Sequence, residues 1–419
     1  MKQYLIRCGT FFDGVRQRFE KNVDIVVEGP VIRSVGKDQP LHEDMELIDL
    51  SGQTVLPGLI DSHVHYEFKD SETFNQFTIT DSDEMKALNT AHNCMTALQN
   101  GYTTIRTTGT AFQGFGSIDV KRAIDRGMFP AARLITAPHA LGIPGGHWDF
   151  SIFGGNTNPA LSEFLTQPYA IGSGADDFQR LVRLQVKYGA DFIKIMATGG
   201  FASPGDDPDE LQLDDAELEA IITTAHACNK KVAAHAYGSV SIDKLLDLGI
   251  DEIEHGTLMQ EHTARRMVEQ GVHYVPTLYS LVGDPEDRTE QKPKPPAYQR
   301  KLDKYEQQLA DSRGIVLKLI MDGELTIGLG SDIVAGVQNV DGWREFKCWR
   351  DLGIPALRTL VAATSDNAKI VGREDLGVLA PGKLADITAW NSDVAGDHCA
   401  LEGSNCTFVM KEGIVYKRS

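Results

Sequence analysis

Eight short runs of apolar, largely β-branched residues recur along the middle of the chain. Each is followed by a stretch with the spacing of an amphipathic helix, and this alternation restricts the fold more than any other feature. The runs are 54–56 continuing through 59–61, then 103–106, 133–136, 192–196, 231–234, 251–254, 274–277 and 325–329. Strands this apolar, without simple polar alternation, belong to a parallel sheet covered on both faces. Eight strand–helix units in about 300 residues make an α/β fold, the (β/α)8 TIM barrel. A doubly wound open sheet is the rival arrangement.

The two ends of the chain read differently. Tyr4-Leu5-Ile6, Asp24-Ile25-Val26-Val27 and Val31-Ile32 are short strands broken by turns such as Glu28-Gly29-Pro30. Ile387 to Trp390, Cys406 to Met410 and Ile414 to Tyr416 repeat the pattern near the C terminus. The expectation is a small β-sandwich domain from residues 1–55 plus 378–419, flanking a barrel of residues 56–377. Residues 283–300, charged and rich in proline, read as a solvated loop, either a lid or a plain linker.

Lys plus Arg is 41 and Asp plus Glu is 59, a net charge of −18. Such a surface repels phosphate backbones and anionic lipid, so neither nucleic acid nor membrane is an expected partner. No stretch approaches the roughly 20 apolar residues of a membrane span. Met1 to Cys8 contain no apolar run of signal-peptide length, so a cytoplasmic protein is expected. The six cysteines are scattered without a CxxC pair and read as free thiols.

Barrel enzymes place their chemistry at the C-terminal ends of the strands, and the unusual residues fall there. The first run ends in His63-Val64-His65, whose alternate side chains can grip one cation. Lys194 lies inside the fourth run. It is either one half of a buried salt bridge or, as a neutral amine combined with CO2, a carbamate able to bridge two metals. His235, His255 and Asp332 follow the fifth, sixth and eighth runs. Six nitrogen and oxygen ligands without cysteine suit two Zn2+ ions, with Mn2+ or Co2+ as substitutes, sharing the Lys194 carbamate and one hydroxide. His147, after Gly145-Gly146, is either a donor to substrate or a loop histidine bound to backbone. Tyr237 is either a hydroxyl for the substrate or a packed aromatic. Trp148 is a pocket wall or core filler, and Arg106 is one candidate clamp for a substrate carboxylate.

The segments Leu56 to His65, Gly101 to Arg106, Gly145-Gly146-His147, Ile193 to Gly200, His235-Ala236-Tyr237, Glu254-His255-Gly256, Gly330-Ser331-Asp332 and Gly377 to Ile387 resemble the amidohydrolase superfamily. More narrowly, they are similar to its imidazolonepropionase-related metallo-dipeptidase branch, with prolidase-like, arginine and lysine carboxypeptidase-like and ochratoxin-hydrolysing members. One segment departs from that pattern: Thr107-Thr108-Gly109-Thr110 follows Arg106 where Asp-Ala-Gly-Gly is frequent. Imidazolonepropionases lack the bridging lysine, so Lys194 argues against that activity.

The resemblance implies a binuclear zinc centre with His63, His65 and Asp332 on the more buried ion, His235 and His255 on the second, and carboxylated Lys194 between them. It implies cleavage of the amide bond of a dipeptide or N-acyl amino acid by a metal-bridging hydroxide. Asp332 then acts as the proton carrier, and His147 and Tyr237 as the further catalytic candidates. The alternatives are a hydrolase of a cyclic or xenobiotic, ochratoxin-like amide, and a barrel scaffold that has lost its chemistry. Assembly into homo-oligomers is suggested by the family alone.

Overall fold

The computed structural model describes residues 2–68, 81–152, 167–203, 205–282, 296–334 and 342–419. The N-terminal strands are β1 (Gln3–Phe11), β2 (Glu20–Glu28), β3 (Val31–Gly36) and β4 (Met45–Pro57). The middle of the chain supplies β5 (Leu59–His65), β6 (Tyr102–Thr108), β7 (Arg133–Ala137), β8 (Ala140–Leu141), β9 (Ile193–Met196), β10 (Val232–Gly238), β11 (Glu252–Leu258), β12 (His273–Val275) and β13 (Ile333–Val334). The last strands are β14 (Ile387–Trp390), β15 (Cys406–Lys411) and β16 (Ile414–Arg418).

Both ends of the chain meet in one seven-stranded sheet of order β16-β15-β14-β4-β1-β2-β3. Its pairs are antiparallel except β1 with β4. An apolar cluster that includes Ile6, Ile25, Ile48, Ile387 and Phe408 belongs to this sheet. The middle strands form two parallel sheets, β13-β5-β6-β7 and β12-β11-β10-β9-β8. Strand order from β5 to β7 and from β8 to β12 follows the sequence, without the reversal of order that marks a doubly wound sheet. Fully buried helix faces, such as Phe178, Leu181 and Val182 of the helix Ala175–Tyr188, cover these strands, as their all-apolar runs require.

Three sequence readings change. The first apolar run is two strands, because Thr54–Pro57 pair with β14 in the end sheet while Leu59 starts β5. Gly58 joins them where a Cβ would meet Thr103 Oγ1 at 2.2 Å. The eighth run, 325–329, is no regular strand. It is held from both sides instead: Tyr274 N donates to Thr326 O (3.1 Å), Gly328 N to Tyr274 O (2.9 Å) and Ser62 N to Leu329 O (3.1 Å). Residues 296–300, read as loop, open a 27-residue helix, Pro296–Asp322. Proline is suited to a first helical position, where its missing N–H has no partner to lose. The rest of that loop reading, 283–295, lies outside the described residues. The six thiols form no disulfide, and among the described residues no helix is long and apolar enough to cross a membrane.

Candidate metal centre and active site

Every residue of β5 is buried, so its alternation sends His63 and His65 to one side. Asp61 fixes the strand end: its Oδ1 accepts from His63 N and Ser331 N (both 3.1 Å), and its Oδ2 from Ser331 Oγ at 2.6 Å. Burial raises its carboxyl to about 6 against these hydrogen bonds. Asp332 N donates to His63 O at 2.8 Å, which pins the turn after residue 329 to the same strand. Asp332 Oδ1 then lies 3.3 Å from His63 Nε2 and 3.4 Å from His65 Nε2. Burial opposes its charge, but the two histidines hold its carboxyl well below the usual range.

The register of the second sheet sets two rows. Lys194, Ala233 and Glu252 lie side by side, and Met196, His235 and Glu254 form the next row. Residues 254 and 255 would face opposite sides of a regular strand. His255 takes φ +70° instead, and both side chains reach the site. Glu254 Oε2 lies 2.5 Å from His63 Nδ1, while the His255 and His63 rings are 5.3 Å apart. Ligand atoms of His63, His255 and Asp332 all lie within 4.8 Å of one another. His235 sits beside this trio, its ring 4.5 Å from that of His255.

The residues fit divalent metal on two observations. First, each histidine has one ring nitrogen anchored, leaving the other for a cation: His63 Nδ1 by Glu254, His65 Nδ1 by Gly109 O (3.0 Å), His255 Nδ1 by Thr277 Oγ1 (2.6 Å) and His235 Nε2 by Gly199 O (3.2 Å). That anchoring fixes tautomer and ring direction, as metal-binding histidines require. Burial holds His235 and His255 well below their ordinary value, which favours the neutral imidazole that ligates. Second, Lys194 Nζ is buried without a hydrogen-bond partner among the described residues, 3.8 Å from Glu254 Oε1. Burial pushes it down from the ordinary lysine value against the pull of Glu254 and Asp332. A bare ammonium left this way is costly, whereas a carbamate would bring its own ligand oxygens.

Sequence reasoning missed Glu252 and Glu254, because a carboxylate inside an apolar run carries no sign of its partner. It also offered Arg106 as one candidate clamp for a substrate carboxylate. Arg106 is instead buried, with Nε on Ser62 O (2.5 Å), one arm on Glu252 Oε2 (2.9 Å), and the other on Glu252 Oε1 and Glu254 Oε1. It holds the carboxylate that holds His63 and is no clamp for substrate.

His147 stacks on His235 at 4.4 Å between ring centres. Tyr237 stacks on His255 at 5.2 Å and stands edge-on to His235 and Phe201. Burial raises its hydroxyl well above the usual range, so it stays an O–H donor. Trp148 lies 4.8 Å from the His65 ring and against Phe150. His139, two residues after the end of β7, is a buried neighbour of Phe115 and Gln185.

The sequence profile of the amidohydrolase family matches residues 54–416. The chain belongs to the amidohydrolase family. It is 28% identical to an ochratoxinase of Aspergillus niger over 95% of this chain and 83% of that protein. Its fold matches a Xaa-Pro dipeptidase crystallised with methionine in its active site, with TM-score 0.85, 29% identity, and 99% and 100% of the two chains covered. A prolidase complexed with N-methylphosphonate-L-proline matches with TM-score 0.86 and 27% identity over the whole of both chains. These amidohydrolase neighbours pair a TIM barrel with a β-sandwich, and the two parallel sheets and the end sheet fit that plan. The chain is thus a hydrolase of a family that generally binds divalent metals and acts on small-molecule amides.

Proposed function

We propose that this amidohydrolase cleaves the amide bond of dipeptides or N-acyl amino acids with two divalent cations, Zn2+ or else Mn2+ or Co2+. The observation that carries the reading is Lys194 Nζ, buried without a hydrogen bond among the described residues, 3.8 Å from Glu254 Oε1 and in electrostatic reach of Asp332, His235 and His255. The two parallel sheets are the halves of one eight-fold barrel spanning 56–377, with 1–55 and 378–419 as the second domain. His63, His65 and Asp332 would hold one ion, His235 and His255 the other, with carboxylated Lys194 between. When bound, such ions acidify water and polarise a carbonyl.

The chain's own groups do the rest. Asp332 takes the proton of the attacking water and returns it to the leaving amine, one carboxylate serving two successive steps. The Tyr237 hydroxyl donates to the oxygen that becomes negative. His147 presents its ring to the substrate beside His235. Trp148 lies against His65 with Phe150 behind it, and Phe201 packs on Tyr237, so aromatic side chains flank the site on two sides. That surface, with the ochratoxinase relative, favours a second reading, a xenobiotic aromatic amide.

The names of the Xaa-Pro dipeptidase and prolidase neighbours support the dipeptide reading, and a screen decides between the two. Metal-loaded protein is assayed with dipeptides, N-acyl amino acids, cyclic amides and aryl amides. Turnover confined to the last two classes refutes dipeptide or N-acyl amino acid cleavage. In parallel, Lys194→Ala should lose metal and regain part of its activity with added short carboxylic acids. Full activity without them refutes the carbamate.

A further inference from the structure

The His147 ring is held by a chain of groups that the proposed reaction does not use. Its Nδ1 lies 2.7 Å from Ser203 Oγ, and the Ser203 hydroxyl donates to Asp206 Oδ1. A hydroxyl has one proton, and a carboxylate only accepts. Ser203 Oγ therefore accepts from His147, and the proton in that contact sits on Nδ1. Asp206 also reaches the backbone of His147: Gln212 Nε2 donates to Asp206 Oδ2 (3.2 Å), and Gln212 Oε1 accepts from His147 N (3.0 Å).

Lys301, from the helix Pro296–Asp322, closes the far side. Its ammonium donates to Asp206 Oδ1 (2.9 Å), Gly200 O (2.5 Å) and Ser203 O (2.6 Å). Burial would raise the Asp206 carboxyl, but His147, Ser203 and Lys301 hold it well below the usual range. The ring lies between His235 and Gly200: it stacks on the His235 ring, and a Cβ on Gly200 would stand 2.1 Å from it. No described residue hydrogen-bonds its Nε2.

We infer that Asp206 is the positioning residue of His147: through Ser203 it keeps the Nδ1 proton in place, so that Nε2 is the atom offered to substrate, and Lys301 clamps the carboxylate. This rests on the proposed role of His147 in the reaction. A neutral His147 in this form offers a lone pair at Nε2, not an N–H.

The test compares wild-type protein with Ser203→Ala, Asp206→Asn, Asp206→Glu and His147→Ala. Long-range 1H–15N spectra of the histidine rings are read alongside kcat, KM and metal content, with the His147 signals assigned by their loss in His147→Ala. The wild type should show the Nδ1–H pattern. Ser203→Ala and Asp206→Asn should shift that pattern toward Nε2–H and lower kcat by about 10- to 100-fold, the scale of lost outer-shell contacts. KM should stay within about threefold and metal content unchanged, and Asp206→Glu should recover part of kcat. If Asp206→Asn does not fold, Ser203→Ala carries the test. An unaltered ring pattern and kcat in Ser203→Ala and Asp206→Asn, while His147→Ala is inactive, overturn the inference alone. Wild-type kcat in His147→Ala removes the role of His147 itself and overturns both.

Discussion

Replacing Glu254 by Gln tests whether the metal centre is tuned from outside its ligands. The carboxylate accepts from His63 Nδ1 at 2.5 Å and from Arg106 at 3.1 Å, and stands 3.8 Å from Lys194 Nζ. A glutamine has one acceptor oxygen and an amide that only donates. It can satisfy His63 or Arg106, while its NH2 confronts the other donor. The metal-free protein should lose about 1–3 kcal/mol, the cost of one buried unsatisfied donor. The loss should stay below the 3–5 kcal/mol or so of a broken buried pair, because Arg106 keeps both arms on Glu252. Metal affinity should fall about 10- to 100-fold, the usual cost of removing an outer partner of a ligating histidine, or about 1.4–2.7 kcal/mol. Chelator competition on folded protein reads the affinity, and denaturant unfolding of metal-free protein reads the stability. Glu252→Gln is the control, since it disturbs Arg106 without touching His63. Metal affinity within twofold of wild type in folded Glu254→Gln refutes the reasoning. An equal loss in Glu252→Gln assigns the effect to Arg106 instead of His63.

Three further outcomes are expected. Asp332→Asn should fold and lose at least about a hundredfold in kcat, the range of general acid–base catalysis; near-normal turnover removes Asp332 from proton transfer. Gly200→Ala should displace the His147 ring, whose nearest atoms lie 2.1–2.6 Å from the added Cβ, and lower kcat while metal content stays at the wild-type value; an unchanged kcat shows that the ring position is not critical. Glu345 accepts from Leu278 N, Tyr279 N and Trp349 Nε1, and burial raises its carboxyl to about 7 from the ordinary 4.5. The folded chain thus holds a proton that the unfolded chain releases between those values, so stability from this group is full below about pH 4.5 and lost as pH rises through 7. The stability difference between wild type and Glu345→Gln should therefore shift against the wild type by about 3 kcal/mol from pH 4.5 to 8; parallel pH curves refute it.

The repeating pattern of the middle strands was legible because burial on both faces leaves its mark on composition, and the donor residues were legible because His63, His65, His235, His255 and Asp332 sit beside strand ends. What stayed hidden depends on partners far away in sequence. Nothing near Arg106 announces that its guanidinium is committed to Glu252 and Glu254, nearly 150 positions on. The helix beginning at Pro296 was concealed by the charged, proline-rich stretch before it, although proline at a first helical position is favourable. The division between β4 and β5 was invisible because Gly58 interrupts one continuous apolar run, and only the close approach of Thr103 shows why it is glycine.

The deepest reason lies in the backbone. Strand alternation would send Glu254 and His255 to opposite faces, so a reading by period 2 has to choose between them. The chain avoids the choice by placing His255 at φ +70°, with Thr277 at +46° and Asp332 at +50°. Left-handed conformations cost non-glycine residues on the order of 1–3 kcal/mol each and persist only where the surroundings enforce them. Here the enforcement is visible. His255 Nδ1 is tied to Thr277 Oγ1, and the Tyr274 hydroxyl donates to His255 O at 2.7 Å. Asp332 N is tied to the carbonyl of His63. Three strained residues, each fastened to the site and converging on one cluster of donors, have no use in a fold that only packs. They are explained if the fold spends stability to aim Glu254 at His63 from the outside while His255 and Asp332 close on the same centre from within.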